Sequence, residues 1–472
     1  MLSNLINVKI NWAVFFGFAV LLYLLFPALS GFSYLAFVIS FYQFLLLFYS
    51  IGYVIPIRYL FGFMMCLQML VGPAFAYNGL DRYQLPQEMM QIPEDVYFGY
   101  VIPAVSAFII GLHISSKKLE GEIIDWDAAK NLINRYSNLP YLFIAVGFVS
   151  SVVSDFFGAE FAFVFYLLGG FKFIGAFMMI VANKKLKVLP LILVYGSIIA
   201  SSLGNAMFHD LIIWLIFLAA FFAIKYKPSV LIKSVFTFSF IIAAVIIQLT
   251  KADYRMAIGV KGEDTGIETF SRAYTENKEE DALVDKNKLA KSNLRFNQGY
   301  IITHIMKTVP SKVPYAAGTE LRQILEAAIL PRFLAPNKLN AGDQKIFMKY
   351  TGLRINKKTS MGLSSVGDAY INFGVTGGCI FMFLLGLLYS EVLKAFRRYG
   401  LSYPVLILFI PLVFYYPIRP DCELQTILGH LVKSCFLIFV IFLVWKKYFI
   451  VNPQSAEKDI HPDTLVPSGL AP

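Results

Sequence analysis

The sequence predicts an all-α polytopic membrane protein with about twelve helical spans and one large loop on the outer side. Three observations predict it. The 472 residues are 58% hydrophobic and only 15% charged, with a mean hydropathy of +0.65, whereas soluble domains are about a quarter charged. Apolar runs recur at the roughly 17–25 residues that cross a bilayer. Lys and Arg gather on every second connecting loop, as they do on the cytoplasmic loops of membrane proteins.

The apolar runs lie near 11–28, 33–52, 58–77, 97–114, 139–155, 160–182, 188–204, 209–225, 230–250, 364–390, 402–417 and 424–446. The first follows Lys9 and has no small-x-small cleavage site after it, so it reads as a retained span and not a signal peptide. One set of loops holds Lys9, Arg58, Lys117, Lys118, Lys130, Arg135, Lys184, Lys185, Lys187, Lys225, Lys227, Lys394, Arg397, Arg398, Lys446 and Lys447. The alternate set is acidic or neutral, with Asp81, Glu88, Glu94, Asp95, Asp155 and Glu160. Both termini are therefore expected in the cytoplasm and the 251–363 loop outside, because long loops translocate regardless of their own charge. The expected organisation is an N-terminal bundle (1–250), the outer loop (251–363), three further spans (364–446) and a polar cytoplasmic tail (447–472).

The net charge of +11 follows partly from this topology, and no nucleic-acid partner is expected. Cys66, Cys379, Cys422 and Cys435 form no CxxC pair, so they read as packing residues and not as metal ligands. There is no Walker A motif, no HExxH and no GxSxG elbow. The GVTGG run at 374–378 reads as close helix packing. No metal or other cofactor is expected.

The outer loop carries most of the chemistry. Residues 261–285 are acidic and poor in large apolar residues, and read as a flexible insertion. Residues 286–358 hold fourteen Lys and Arg against Glu320, Glu326 and Asp343. Such a field concentrates an anion. A helix is expected over NQGYIITHIMKTV, where Tyr300, His304 and Lys307 recur on one face before Pro310. A second is expected over TELRQILEAAIL, with an apolar stripe at Leu321, Ile324, Leu325, Ala328 and Ile329, Thr319 as N-cap, and Pro331 as stop. A helix of that kind either lies in the membrane interface or lines a substrate groove, and the sequence leaves both open.

Arginine presents a planar fork of donors that suits phosphate. Arg255, Arg295, Arg322, Arg332 and Arg354 fall in the loop, and Arg419 in the last outer turn. Singly, each is as well explained by a lipid headgroup or a nearby acid; as a set they point to a polyanionic ligand. His209, Asp210, Asp368, Tyr370, Asp421 and Glu423 flank outer span ends, while His430 and Lys433 lie inside the last span. Ionisable groups within spans are costly and are functional candidates. Lys172 also qualifies, although an internal salt bridge is the plainer reading.

At PRFLAPNK (331–338) and SSVGDAYINFGVTGGCIFMFLLGLLY (364–389) the sequence resembles the O-antigen polymerase (Wzy) family, in its oligosaccharide repeat-unit polymerase branch. The order of features is similar. KADYR ends the central span at Arg255, AAGTEL and the Pro-Arg-aromatic segment lie in the loop, and DAYINFG opens the next span. Two departures stand out. Position 368 is Asp where that family has Glu, and FHD precedes the eighth span where relatives often carry an arginine. His209 is then expected to take over an anion contact.

The resemblance implies a fold like the membrane-embedded lipid-sugar glycosyltransferases (GT-C-like) in the inner membrane of a Gram-negative bacterium, with its active site on the periplasmic side. The implied reaction moves a growing glycan from undecaprenyl diphosphate to the next lipid-linked repeat unit, without a metal. A chain-length regulator and a flippase of the same pathway are the implied partners. Arg255, Arg295, Arg322, Arg332 and Arg419 are the candidates for diphosphate contact. Asp368 and His304 are the first candidates for general base and Glu423 the third, while Tyr300, Tyr315 and Tyr370 can stack on sugar rings. A ligase joining polymer to a lipid core would use the same chemistry. A flippase is the reading from another class, but no repeat of the transporter kind is visible.

Overall fold

The computed structural model describes residues 10–114, 125–157, 159–182, 187–259, 263–279, 286–330, 339, 342–356 and 361–450. Among these residues there are helices and no strand, and eight helices are long and apolar enough to cross a membrane. Six come before the large polar segment: α1 (Gly31–Ser50), α2 (Ile57–Tyr77), α3 (Glu94–Ile114), α4 (Ala162–Ala182), α5 (His209–Tyr226) and α6 (Val230–Gly259). Five shorter helices follow within that segment: α7 (Ile267–Glu279), α8 (Lys286–Phe296), α9 (Gly299–Thr308), α10 (Thr319–Ile329) and α11 (Gln344–Thr351). The last two long helices are α12 (Ser364–Gly400) and α13 (Leu424–Val444).

Of the remaining apolar runs, 188–204 forms the expected helix, and the others are shorter or broken. Trp12–Leu25 and Val188–Gly204 are helices of 14 and 17 residues. The fifth run is a helix, Leu139–Val153, bent by 81° from the amphipathic helix Trp126–Arg135 before it. The eleventh is a 3₁₀ turn, Pro404–Phe409, running into the short helix Ile410–Val413. Prolines 404, 411 and 417 interrupt it, since proline removes a helix hydrogen bond and clashes with the preceding turn. Its residues from Pro404 to Tyr415 are buried in protein, the setting in which irregular backbone is tolerated at membrane depth.

Two spans extend past their expected ends. α6 runs to Gly259 and α12 to Gly400, because nothing in SEVLKAFRRY breaks a helix and the basic residues 394–398 simply continue it. α12 is nevertheless bent near its start, where Gly374 takes φ +67° and ψ −157°. Only glycine adopts that conformation without strain. The acidic stretch expected to be a flexible insertion also differs. Part of it forms α7, anchored by Phe270 against Phe208 and Tyr254 at ring separations of 5.3 Å each. The tail from 451 lies outside the described residues.

Small residues let the central helices meet closely. A Cβ on Gly111 of α3 would collide with the Phe383 carbonyl of α12, and one on Gly386 of α12 with the Phe108 carbonyl of α3. Gly378 is covered by the Tyr100 ring, so the GVTGG run does pack tightly. Lys172 has no acid partner among the described residues; its ammonium lies over the Phe148 and Phe173 rings at 5.2 and 5.5 Å.

The two ends of the bundle differ chemically. At one end, the Ser30 and Ser33 hydroxyls at the start of α1 donate to Glu94 at the start of α3. The Tyr100 hydroxyl near the start of α3 donates to the Val366 carbonyl near the start of α12 at 2.8 Å. At the other end, cations cap helix carbonyls. Arg58 donates to the Leu112 carbonyl, Lys225 to that of Ile180 at 2.7 Å, and Lys233 to that of Ile51 at 2.8 Å. Leu112 and Ile180 lie in the last turns of α3 and α4, and Ile51 just past α1, where positive charge is favourable.

Replacing Gly386 with Ala forces α3 and α12 apart, and overpacking of this kind costs roughly 1–3 kcal/mol. Gly196→Ala, where a Cβ meets nothing within 4 Å, is the control. Thermal unfolding in detergent should show a lowered midpoint for the first variant and little change for the second.

Candidate functional site

The site is assembled at the end where α12 and α13 begin. α13 is preceded by Glu423 in an extended conformation, which makes no side-chain cap of its own. Asp368 of α12 supplies the missing acceptor: its Oδ2 takes the Leu424 N–H at 2.9 Å. Asn372, one turn on, has two roles. Its amide donates to the Asp368 carbonyl at 2.9 Å, and its Oδ1 accepts the Leu321 N–H in the first turn of α10 at 3.1 Å. The break at Gly374 frees the Ile371 carbonyl from the helix ladder, and the Ala316 N–H takes it at 2.9 Å. The DAYINFG string is thus a scaffold that caps one helix, holds the start of another and pins the loop before it.

Between these elements lies a cavity of about 20 Å³ lined by Glu320, Asp343, Asp368 and Glu423, among others. It has room for about one or two waters, so a sugar enters only if the site opens. Each carboxylate is already engaged through one oxygen. Glu320 Oε1 accepts from Lys349 Nζ at 2.9 Å and from the Tyr350 hydroxyl at 2.7 Å. Glu423 Oε1 accepts from the Gly342 N–H at 2.6 Å and the Thr426 hydroxyl at 2.9 Å. Asp343 Oδ1 accepts from the Lys345 N–H at 2.8 Å. Burial pushes the Glu423 carboxyl above its ordinary range, against the two hydrogen bonds that favour its charged form. The 421–423 turn rests on Gly362, where a Cβ would come 2.6 Å from the Asp421 carbonyl oxygen.

The same turn carries a cation on its other side. Arg419, only 18% exposed, lies 3.8 Å from Asp210 and 3.4 Å from Asp421, and 5.3 Å above the Tyr416 ring. Arg419 Nε, Asp421 Oδ1 and His209 Nε2 are all buried without a hydrogen-bond partner. Burial acts to raise the Asp421 pKa, but the neighbouring Arg419 and His209 outweigh it and hold the carboxyl below its usual range. Arg255 of α6 is exposed, its Nε donating at 3.1 Å to the carbonyl of Ala206 in the turn that precedes His209. Buried donors and acceptors left unpaired in this way are what ordered water or a bound polar group would complete.

The structure therefore brings together Asp368 with Glu423, and Arg419 with His209, while Arg255 bonds the turn before His209. The other candidates sit elsewhere. His304 is buried on α9 with Nε2 2.9 Å from the Gln87 carbonyl, and it does not line the cavity. Tyr300 is buried on the same helix, while Lys307 points out and donates to the Gln91 amide oxygen at 2.9 Å. Tyr370 packs between Tyr100 and Tyr315, at 5.0 and 5.8 Å, and Tyr315 remains partly exposed. Arg322 is open to the surface and pairs with Glu326 at 3.4 Å. Arg354 is exposed. Nothing of the Arg295 side chain is described, and Arg332 lies outside the described residues. His430 is buried among aromatic rings, its Nε2 2.7 Å from the Leu412 carbonyl.

α10 differs from expectation at its start. Gly318, at φ +86°, is the N-cap; Thr319 is the first helical residue, and its hydroxyl donates back to the Ala316 carbonyl. The sequence reading also missed Glu320 with Lys349 and Tyr350, and Asn372 as a cap. Asn372 was visible in the DAYINFG string, but its partner on α10 was not. Among the described residues no group of three or more His, Cys, Asp or Glu is arranged to hold a metal ion.

Residues 96–453 match the model of a family described as "Domain of unknown function (DUF8712)". No curated protein and no solved structure matches.

Replacing Asp368 with Ala should lower stability by about 1 kcal/mol, the usual cost of a lost N-cap acceptor, while Asp368→Asn, which keeps an acceptor oxygen, should cost less. Thermal unfolding of the two variants side by side checks this, and equal losses would argue against the capping role.

Proposed function

The chain belongs to that family of unknown function, and from this premise we propose that it is a membrane glycosyltransferase that polymerises lipid-linked oligosaccharide repeat units. The reading places it in a bacterial inner membrane with both termini cytoplasmic and the α10–α13 end periplasmic. The donor is a glycan on undecaprenyl diphosphate, and the acceptor is a hydroxyl of the next lipid-linked unit. The observation that carries the reading is the 419–423 turn. It holds a sequestered arginine on one side and, on the other, the half-buried Glu423, which lines one cavity with the buried Asp368 of α12.

In this proposal the acceptor oxygen bonds to the donor's anomeric carbon as that carbon's bond to the diphosphate oxygen breaks. The hydroxyl proton passes to Asp368 or Glu423, and the bonding pair leaves on the diphosphate. Arg419, aided by His209 and Arg255, faces the charge that develops there. Fixed donors aimed at developing charge contribute more in the transition state than in the ground state. A carboxylate with a raised pKa is a better base near neutral pH than an ordinary one. The carboxylates are favoured over His304 because they line one cavity next to the arginine, whereas the His304 ring is turned to a backbone carbonyl.

The test is ladder formation by purified protein in nanodiscs, supplied only with its lipid-linked repeat unit. Arg419→Ala should reduce the rate about 10²–10³-fold, the usual effect of removing one such donor. Arg322→Ala, at an exposed ion pair, should do far less. Transport of the unit across a vesicle bilayer without any ladder would replace the polymerase with a flippase, and transfer only after a lipid-core acceptor is added would replace it with a ligase.

The pH profile gives a further check. A base must be ionised, so the rate should fall as pH drops through the carboxylate's folded-state pKa. Because burial raises the Glu423 value, that acidic limb should lie above the ordinary glutamate range if Glu423 is the base. Glu423→Gln should then remove activity at every pH, while retained activity with an unchanged limb would leave Asp368 as the base.

A further inference from the structure

We infer that α10 is seated in the bilayer leaflet at the site end, with Leu325 and Ile329 in contact with lipid acyl chains. This holds whether or not the transfer reaction above is correct.

The argument starts from α13. Its surface-facing apolar residues Val432, Phe436, Phe439 and Leu443 recur at helical spacing and are 37–66% exposed. In a membrane-spanning helix that stripe faces lipid. Continued toward the start of the helix, the stripe reaches Leu428 and Gly429. Leu428 is only 6% exposed, and a Cβ on Gly429 would lie 3.9 Å from the Ala328 Cα. α10 therefore covers the lipid-facing side of α13 over its first two turns and occupies a place that lipid would otherwise fill.

The faces of α10 agree with that position. Successive residues turn by about 100°, which divides the helix into three arcs. Glu320, Ile324, Ala327 and Ala328 face inward, toward the cavity and α13. Next around the helix, beside the Ala328 edge, come Leu325 and Ile329, 40% and 59% exposed. The third arc is polar, with Arg322, Gln323 and Glu326 exposed. A helix with a buried edge, an apolar edge and a charged edge matches an interfacial position, where the apolar edge dips below the headgroups and the charged edge stays in water. The apolar arc is continuous with the lipid-facing stripe of α13, and that continuity identifies the bilayer as its occupant.

The consequence is positional. The helix that contributes Glu320 to the carboxylate cavity presents Leu325 and Ile329 to the membrane, so one helix thickness separates the cavity from acyl chains.

Nitroxide labels attached after Leu325→Cys, Ile329→Cys, Gln323→Cys and Glu326→Cys test this, with Phe436→Cys as the lipid-facing reference. The protein is reconstituted in nanodiscs of phosphatidylethanolamine and phosphatidylglycerol, and label taken up by the four native cysteines is measured on the unsubstituted protein and subtracted. Labels at 325 and 329 should collide severalfold more with oxygen than with a water-soluble nickel chelate, as at 436, while those at 323 and 326 should show the reverse. A nickel preference at 325 and 329 equal to that at 323 would place the helix above the membrane and overturn the inference. The measurement uses no substrate, so a failed polymerisation assay does not affect it.

Discussion

The carboxylate of Asp368 on the first free N–H of α13 is the contact on which the site depends. A charge buried at the junction of two helices is costly unless something compensates it. The start of a helix compensates in part, because it offers unbonded N–H groups and the positive end of the helix dipole. The contact joins residues 56 positions apart. It also fixes the turn just before Leu424, since Glu423, Cys422, Asp421 and Arg419 follow the backbone that Leu424 anchors.

That turn pairs Arg419 with aspartates on one side and turns Glu423 to the other. Arg419 faces Asp210 and Asp421 on one side; Glu423 faces Gly342, Thr426 and the cavity on the other. The two aspartates beside Arg419 keep a buried guanidinium tolerable, yet they leave Arg419 Nε and His209 Nε2 without partners.

Much of this architecture is readable in the sequence where local rules decide. Apolar length marks the long helices, and the DAYINFG string marks Asp368, Asn372 and Gly374 together. What sequence leaves dark are partners distant in the chain. The face shared by Tyr300, His304 and Lys307 looks like a functional stripe, but it is divided between a buried core and a surface, because Gln87 and Gln91 pack against it from more than two hundred residues away. Residues 402–417 are as apolar as a span; Pro404, Pro411 and Pro417 mark the break in the sequence, but the burial of this segment in protein is not legible there. Arginine content is similarly silent on geometry: Arg322 and Arg419 look alike in sequence, but one lies open beside Glu326 and the other is enclosed.

The direction of the helices adds to the site. α1, α3 and α12 begin at the same end, as the Ser30–Glu94 and Tyr100–Val366 contacts require. α13 begins there through Asp368, α5 through Asp210 beside Arg419, and α4 runs parallel to α5, since Lys225 at the end of α5 caps Ile180 near the end of α4. The segments that run the other way are mostly short, bent or broken: Trp12–Leu25, Leu139–Val153, Val188–Gly204 and Pro404–Val413, leaving α2 and α6 as the long ones. Each long helix that starts at the site end contributes a partial positive charge there, worth roughly 0.3–1 kcal/mol to a nearby anion and confined to its first turn. Glu94, Asp210 and Asp368 sit at such starts, and Arg58, Lys225 and Lys233 sit at the opposite carbonyl ends. The bundle is thus polarised by its own backbone, and the arginine turn lies at the end that an anion would favour even before any side chain is counted.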